Sequence, residues 1–445
     1  MSWIEPLYTA EEMRRAEEGH DVAAMMERAA RAVADAVLRR RPDATSVAVV
    51  CGRGSNGSDG RIAARMLEAA GRTVSVVEAV AGAEVPPAGV VVDALFGTGF
   101  SGEPRPDAAA LIAQMTGDVV AVDVPSGVDA STGEVRGAAV RASATVTMHG
   151  PKVGLHVSPG RAHAGEVEVA DIGIEHVETA HGLVTPRILE AVPPRRTTDN
   201  KYTAGAVLLV GGAPGTTGAV RLAAMAALRA DAGYVAVAVP PESLAVVETT
   251  LLEPVKATWD RVGELAPRFG AVAIGPGLGR SDAARALVHE VLAFDLPVVV
   301  DADALALLEP TERRATTVLT PHEGELAAML GEDSAWVRAH RLEAVRQARA
   351  WYPATVLLKG ADTIVDGTWI HSVEAPQLAT AGTGDVLTGV IAAFLAKGLP
   401  GPVAAAAGAA AQAQAALLGP ERGLVASDLV EALPDVLAGM GATYQ

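Results

Sequence analysis

Short β-branched runs alternate along the chain with longer Ala- and Leu-rich stretches, so the apolar period switches repeatedly between that of a buried strand and that of a helix. In a first block, apolar runs at 45–50, 73–77, 89–92 and 118–122 predict strands of the near-continuous kind found in parallel sheets buried on both faces. Stretches at about 59–70 and 107–115 predict helices. A longer helix carries Val22, Met25, Met26, Ala29, Ala30, Val33, Ala36 and Val37 on one face, a stripe expected to pack in the core. A second block repeats the alternation with strands at 206–210, 235–239, 271–274, 297–300, 317–319 and 355–358, and three Ala-rich helices follow Thr383. Between the blocks, residues 176–203 lose the strand rhythm and gather Pro193, Pro194, Arg195 and Arg196. The prediction is an α/β chain of two domains, 1–180 and 195–445, that share an architecture but not their motifs.

Composition narrows the partners. With 445 residues, half of them apolar and a fifth charged, the chain can bury sizeable cores. A net charge of −17 with no long basic run argues against a surface that tracks nucleic-acid phosphates. A small anionic ligand stays open, because helix N-termini and backbone amides bind phosphate without net positive charge. The one cysteine, Cys51, excludes an internal disulfide framework and a multi-cysteine metal site. The longest apolar stretch, Val403 to Ala411, is too short to span a membrane, and the charged opening residues lack the apolar core of a secretory signal. A cytoplasmic protein without membrane partners is expected.

In the first block three strand ends run into glycine-rich or polar turns, 51–60, 93–102 and 123–129, which is where open α/β sheets bind ligands. Cys51-Gly-Arg-Gly-Ser-Asn-Gly57 has the G-x-G-x-x-G spacing of a dinucleotide fingerprint, with Glu78 where the acidic partner would stand. Asp59, close behind, puts a carboxylate where pyrophosphate would sit, so Ser55, Asn56, Ser58 and Asp59 equally suit a polar ligand or a hard cation. Asp93 precedes Gly97-Thr98-Gly99, and Asp123 opens Asp-Val-Pro-Ser-Gly-Val-Asp129. In the second block, Gly211 to Gly218 lacks the Gly-Lys-Ser/Thr ending of a P-loop, which is rejected. Gly275-Pro-Gly-Leu-Gly279, Asp301-Ala-Asp303 and Pro321-His-Glu-Gly-Glu325 follow further strands. Ala381-Gly-Thr-Gly-Asp385 opens a helix, where Asp385 can cap its own first turn or serve as a base beside converging amides. Lys359-Gly-Ala-Asp-Thr363 offers a cation and a hydroxyl to phosphates.

On GPGLG (275–279), VDADAL (300–305), LTPHEGE (319–325), LLKGADT (357–363) and LATAGTGDVLTG (378–389), the second block resembles the ribokinase-like ADP/ATP-dependent NAD(P)H-hydrate dehydratases. On CGRGSNGSDG (51–60), VDALFGTG (92–99), VDVPSGVDASTG (122–133) and TVTMHGPKVGL (145–155), the first is similar to NAD(P)H-hydrate epimerases. Together the blocks resemble the bifunctional NAD(P)H-hydrate repair enzymes. The resemblance implies a Rossmann-like three-layer α/β/α domain followed by a ribokinase-like α/β domain. It implies that the first interconverts R and S hydrates of NADH and NADPH, and that the second dehydrates the S form while ADP becomes AMP and phosphate. Asn56, Asp93 and Ser126 would then bind a potassium ion. The hydrate would be held by Ser55, Asn56, Gly57, Ser58 and Asp59, by Gly97, Thr98, Gly99, Phe100, Ser101, Gly102 and Glu103, and by Asp123, which is also catalytic. In the second domain Ala219, Gly277, His322 and the catalytic Asp385 would contact the hydrate. Lys359, Gly360, Ala361, Asp362, Thr363 and Gly384 would contact ADP, accompanied by Mg2+. A homo-oligomer is expected. Ser55 and Ser58 stand where the epimerases carry Asn and Gly, and a positive φ at Ser58 would strain the backbone. Pro-His-Glu-Gly-Glu (321–325) in place of Pro-His-Pro-Gly-Glu and Asn200-Lys201-Tyr202 in place of His-Lys-Gly imply an altered entrance to the second site. The other reading is a ribokinase-like small-molecule kinase fused to a dinucleotide-binding sensor domain.

Overall fold

A computed structural model describes residues 3–175 and 177–442. The chain splits into two compact units, one comprising 6–183 with 338–340 and the other 1–5, 184–337 and 341–445. The sequence division into 1–180 and 195–445 therefore differs at the chain's first residues and at the short stretch 338–340.

In the N-terminal unit six strands form one parallel sheet: β1 (Ser46–Cys51), β2 (Thr73–Glu78), β3 (Val90–Ala94), β4 (Val119–Val122), β5 (Ala144–Met148) and β6 (Glu166–Ala170), in the order β2-β1-β3-β4-β5-β6. Val47 to Cys51 are all buried, as a strand covered on both faces requires. β5 and β6 lie outside the predicted strands: Ala144-Thr-Val-Thr-Met148 hides hydroxyls among its apolar residues, and Glu166-Val-Glu-Val-Ala170 alternates because it is a half-exposed edge. The helix Val22–Arg40 is capped by Asp21, which accepts from two amides, and buries Ala29, Ala30, Val33, Ala34, Ala36 and Val37. Its stripe is not core throughout. Val22 is 58% exposed, and Val22, Met25 and Met26 line a cavity.

In the C-terminal unit seven parallel strands run in the order β13-β12-β11-β10-β7-β8-β9, with a hairpin added antiparallel beside β13 as β14 and β15. They are β7 (Ala206–Val210), β8 (Tyr234–Val239), β9 (Val255–Thr258), β10 (Ala271–Ile274), β11 (Val298–Val300), β12 (Thr317–Leu319), β13 (Thr355–Leu358), β14 (Thr363–Val365) and β15 (Trp369–His371). The short strands β9, β14 and β15 escape the sequence pattern. Three Ala-rich helices do close the chain, Thr383–Ala396, Gly401–Leu418 and Ala426–Ala442. No helix among the described residues is long and apolar enough to cross a membrane.

Candidate active sites

Parallel strands place all their following turns on one sheet edge, so in the N-terminal unit adjacent strands bring Gly52, Asp93 and Asp123 to a common rim. There a cavity of about 770 Å3 opens, lined among others by Glu17, Ser55, Asn56, Asp59, Phe96 and Asp123. The helix behind the fingerprint starts at Ser55, not at 59 as expected, so Ser55 to Asp59 form its first turn. Gly57 is required there, because a Cβ would stand 1.9 Å from the carbonyl oxygen of Gly52. Ser58 is an ordinary helical residue without positive φ, and the strain anticipated for it is absent. Glu78 is committed to Arg61 through two bonds of 2.8 and 2.5 Å, which removes it as a ribose ligand of a dinucleotide fingerprint.

Asp123 holds a left-handed φ of 68°, a conformation that costs a non-glycine residue of order 1 kcal/mol or more. Lys152, with no exposed side-chain surface, stabilises it by placing its Nζ 2.6 Å from Asp123 Oδ1. The same ammonium donates to the Thr147 hydroxyl at 3.0 Å and the Met148 carbonyl at 2.7 Å. Asp59 lies in the same pocket with one buried carboxyl oxygen lacking a partner among the described residues. Burial, reinforced by Asp123 and Glu17, pushes its pKa up to about 7. Glu17 is raised by burial and by Asp123 as well. Two carboxyls in one cavity thus differ in kind: Asp123 is ion-paired and Asp59 is proton-retaining. Lys152 and Glu17 were not singled out from sequence, although Lys152 lies within TVTMHGPKVGL.

Beside this pocket, Asp93 is fully buried and accepts from the Ser126 amide at 2.8 Å, the Ser126 hydroxyl at 2.6 Å and the Leu95 amide at 3.2 Å. Burial outweighs these bonds and pushes its pKa up to about 6. Asn56 donates to the Phe96 carbonyl at 2.8 Å, leaving its own side-chain oxygen without a donor among the described residues. Ser55, Asn56, Asp59, Gly97, Thr98, Gly99, Phe100, Ser101, Glu103 and Asp123 line the cavity, whereas Gly57, Ser58 and Gly102 do not.

In the C-terminal unit β7, β10, β11, β12 and β13 are successive neighbours, so the loops after Val210, Ile274, Val300, Leu319 and Leu358 form a row along one edge. The first two are joined by Ala213 N to Gly277 O at 2.6 Å and by the Thr216 hydroxyl to Gly277 O at 2.9 Å, with Ala219 on the following turn. His322 caps the helix Glu323–Leu330: its Nδ1 accepts from the Gly324 and Glu325 amides at 3.0 and 3.2 Å. That fixes the ring's proton on Nε2, on a side chain 60% exposed.

Lys359 Nζ lies 2.8 Å from Asp301 Oδ1 and 3.8 Å from Glu325 Oε2. Burial opposes its charge, but Asp301 and Glu325 outweigh burial and raise its pKa. The helix Thr383–Ala396 begins without a side-chain cap, and the Gly384 and Asp385 amides have no acceptor among the described residues. A Cβ at Gly384 would lie 3.4 Å from Lys359 Nζ, so ammonium and amides converge on one spot. Asp385 borders it, its pKa pushed up to about 7 by burial and by Asp301 against the opposing pull of Lys359.

Two expectations change. Asp362 is fully buried, its carboxylate bound at 3.0 Å by Arg341 Nε, so it cannot offer that group to a nucleotide. Arg341 also binds the Asp362 carbonyl at 2.7 Å and the Lys359 carbonyl at 3.3 Å, bracing the loop in which Gly360 and Ala361 are exposed and from which Thr363 opens β14. Lys201 and Tyr202 do not border an entrance: they pack on Tyr234, which starts β8 at the amino edge of the sheet, opposite the row of loops. Arg341 was missed, and Asp301, noted as an ionisable group at a strand end, was given no role. Asp301 was visible within VDADAL, but Arg341 has no sequence signal that separates it from surface arginines.

A family model described as NAD(P)H-hydrate dehydratase matches residues 207–437, and one described as the YjeF-related protein N-terminus matches 22–85 and 78–154. The chain is 39% identical to the bifunctional NAD(P)H-hydrate repair enzyme of Moorella thermoacetica, over 88% of each chain. It is 37% identical to the enzyme of that name from Coxiella burnetii, over 91% of this chain and 93% of the other. The ADP/ATP-dependent NAD(P)H-hydrate dehydratase of Bacillus subtilis, co-crystallized with ATP and Mg2+, superposes with a TM-score of 0.54 at 29% identity, over 57% of this chain and 97% of that one. With both matched regions lying on the two sites built above, the chain belongs to the family of bifunctional NAD(P)H-hydrate repair enzymes.

Proposed function

We propose that the chain restores hydrated NADH and NADPH by two reactions: its N-terminal unit epimerises the R and S hydrates, and its C-terminal unit dehydrates the S form at the expense of ADP. The observation that carries the second reaction is the meeting of Asp385, the unpartnered Gly384 and Asp385 amides and the Lys359 ammonium at one helix start. Asp385 takes the proton of the C6 hydroxyl. The oxygen attacks the β-phosphorus of ADP, the bond between the α and β phosphates breaks, and AMP leaves. The two amides and Lys359 are placed to stabilise the charge on the transferring group. Phosphate then departs from C6 with the bonding electrons, C5 gives up a proton, and the ring double bond returns. Ala219, Gly277 and the Nε2–H of His322 are assigned to the hydrate. Gly360, Ala361, Thr363 and the backbone of Asp362 are assigned to the nucleotide, with Mg2+ on its phosphates.

In the first unit Asp123, poised by Lys152, takes the proton of the C6 hydroxyl as the C6–N1 bond breaks to leave an aldehyde, Asp59 gives its proton to N1, and both transfers reverse when N1 closes on the other face of that aldehyde. A potassium ion fits beside them: the Asn56 side-chain oxygen and the Ser126 hydroxyl are neutral oxygen donors, and Asp93 is a buried carboxylate without a cationic neighbour among the described residues. Bound there, it would offset the Asp93 charge and order the 97–103 loop. Cytoplasmic location and self-association complete the proposal, checked by fractionation and sedimentation. The function itself is tested by following reduced-nicotinamide absorbance with purified S hydrate and ADP. Asp385→Asn is expected to lower that rate by about two to four powers of ten; a phosphorylated product that accumulates would instead mark a kinase.

A further inference from the structure

Asp301 is assigned no contact of its own with hydrate or nucleotide, yet it is almost sealed, its side chain 2% exposed. Both its oxygens are engaged: Oδ1 accepts from Lys359 Nζ at 2.8 Å, and Oδ2 from the Thr388 hydroxyl at 2.6 Å. Thr388 lies three residues beyond Asp385 on the same helix, so one carboxylate ties the lysine to the element that carries the base. Its backbone is fixed as well, with the amide on the Ile274 carbonyl at 3.1 Å. Among the described residues the charged groups acting on Asp385 are Asp301, Glu325 and Lys359. A lysine free to choose Asp385 would convert the base into an ion pair and leave the phosphates without their cation.

Resting on the reading of Asp385 as base, we infer that Asp301 is the positioning residue of the dehydratase site, holding the Lys359 ammonium beside the helix start and out of an ion pair with Asp385. Asp301→Asn has nearly the same shape but no charge. It releases Lys359 and removes a neighbouring negative charge, and both changes weaken the hold of Asp385 on its proton.

The test is the pH profile of kcat/KM for S hydrate. In Asp301→Asn the rising limb is expected to move down by about one pH unit, as gain of an opposite charge does to a carboxylate, and KM for ADP is expected to rise. Thr388→Val leaves the Lys359 pair intact and is expected to lower kcat without moving the limb, with Thr388→Ser restoring it; this decides the matter should Asp301→Asn fail to fold. An unmoved limb with unchanged KM for ADP in folded Asp301→Asn, or wild-type kcat in Thr388→Val, overturns the inference even if melting temperatures fall. Asp385→Asn run alongside separates the failures. If it stays active, the reading of Asp385 as base is wrong; if it is inactive while the Asp301→Asn limb is unmoved, only the role of Asp301 is wrong.

Discussion

Asp59 and Asp385 are both raised to about 7, yet the two reactions need them in opposite states. A base must be ionised, so dehydration is expected to speed up as pH rises through about 7. An acid must hold its proton, so epimerisation is expected to slow over the same interval. Profiles taken separately with S hydrate plus ADP and with R hydrate alone check this; limbs of the same sign would refute the assignments. The raised values also carry a stability sign. A folded protein that holds protons more tightly than the unfolded chain loses stability as pH rises from the ordinary carboxylate value towards the raised one. Asp385→Asn escapes that loss and is expected to melt above the wild type at pH 8, with the gap closing near pH 4. Lys152→Met should act the other way, leaving Asp123 unpaired at a cost of about 3–5 kcal/mol in chemical denaturation. At this scale the sequence named Asp123 and Lys359 because each follows a strand end in a turn with glycine, and Asp385 because it follows Gly382 and Gly384 at a helix start. It could not show that Asp362 turns inward, since the burial that decides this depends on Arg341, distant in sequence.

Between elements, helix Thr383–Ala396 packs closely on helix Thr217–Arg229 in the C-terminal unit. A Cβ at Gly389 would lie 2.0 Å from the Ala223 carbonyl oxygen, which is backbone and cannot yield. Gly389→Ala is therefore expected to destabilise by about 1–3 kcal/mol, despite alanine's better helix propensity, and to weaken dehydration because the same helix starts at the site. At Gly408 the nearest atom, 2.6 Å from a Cβ, is the side-chain Cγ1 of Ile391, which repacking can shift more readily than a backbone carbonyl, so Gly408→Ala is expected to cost less. Melting the pair side by side checks the ranking. The long apolar strands and the Ala-rich helices were readable because burial on both faces leaves an unbroken apolar run. The edge strand Glu166–Ala170 and the three-residue strands of the hairpin were not, since their pairing comes from the sheet beside them. The first turn of the helix at Ser55 was likewise read as loop, because its serines and glycines serve contact with neighbouring backbone at the expense of helix propensity.

For the whole molecule, a net charge of −17 is compatible with a polyanionic dinucleotide because the proposed neutralisation is local, assigned to helix-start amides, Lys359 and a bound cation, whatever the chain's sum. Two blocks and a break near 176–203 were legible, but the grouping of residues 1–5 with the second unit and 338–340 with the first arises only in three dimensions. The central claim is that one chain joins an epimerase to an ADP-dependent dehydratase. It is tested most directly by supplying R hydrate alone with ADP and following the return of reduced-nicotinamide absorbance. The wild type is expected to consume R hydrate far faster than spontaneous epimerisation allows, Asp123→Asn to fall to the spontaneous rate while still using S hydrate, and Asp385→Asn to use neither. Conversion of R hydrate no faster than its spontaneous epimerisation, by a wild type that readily dehydrates the S form, would contradict the account.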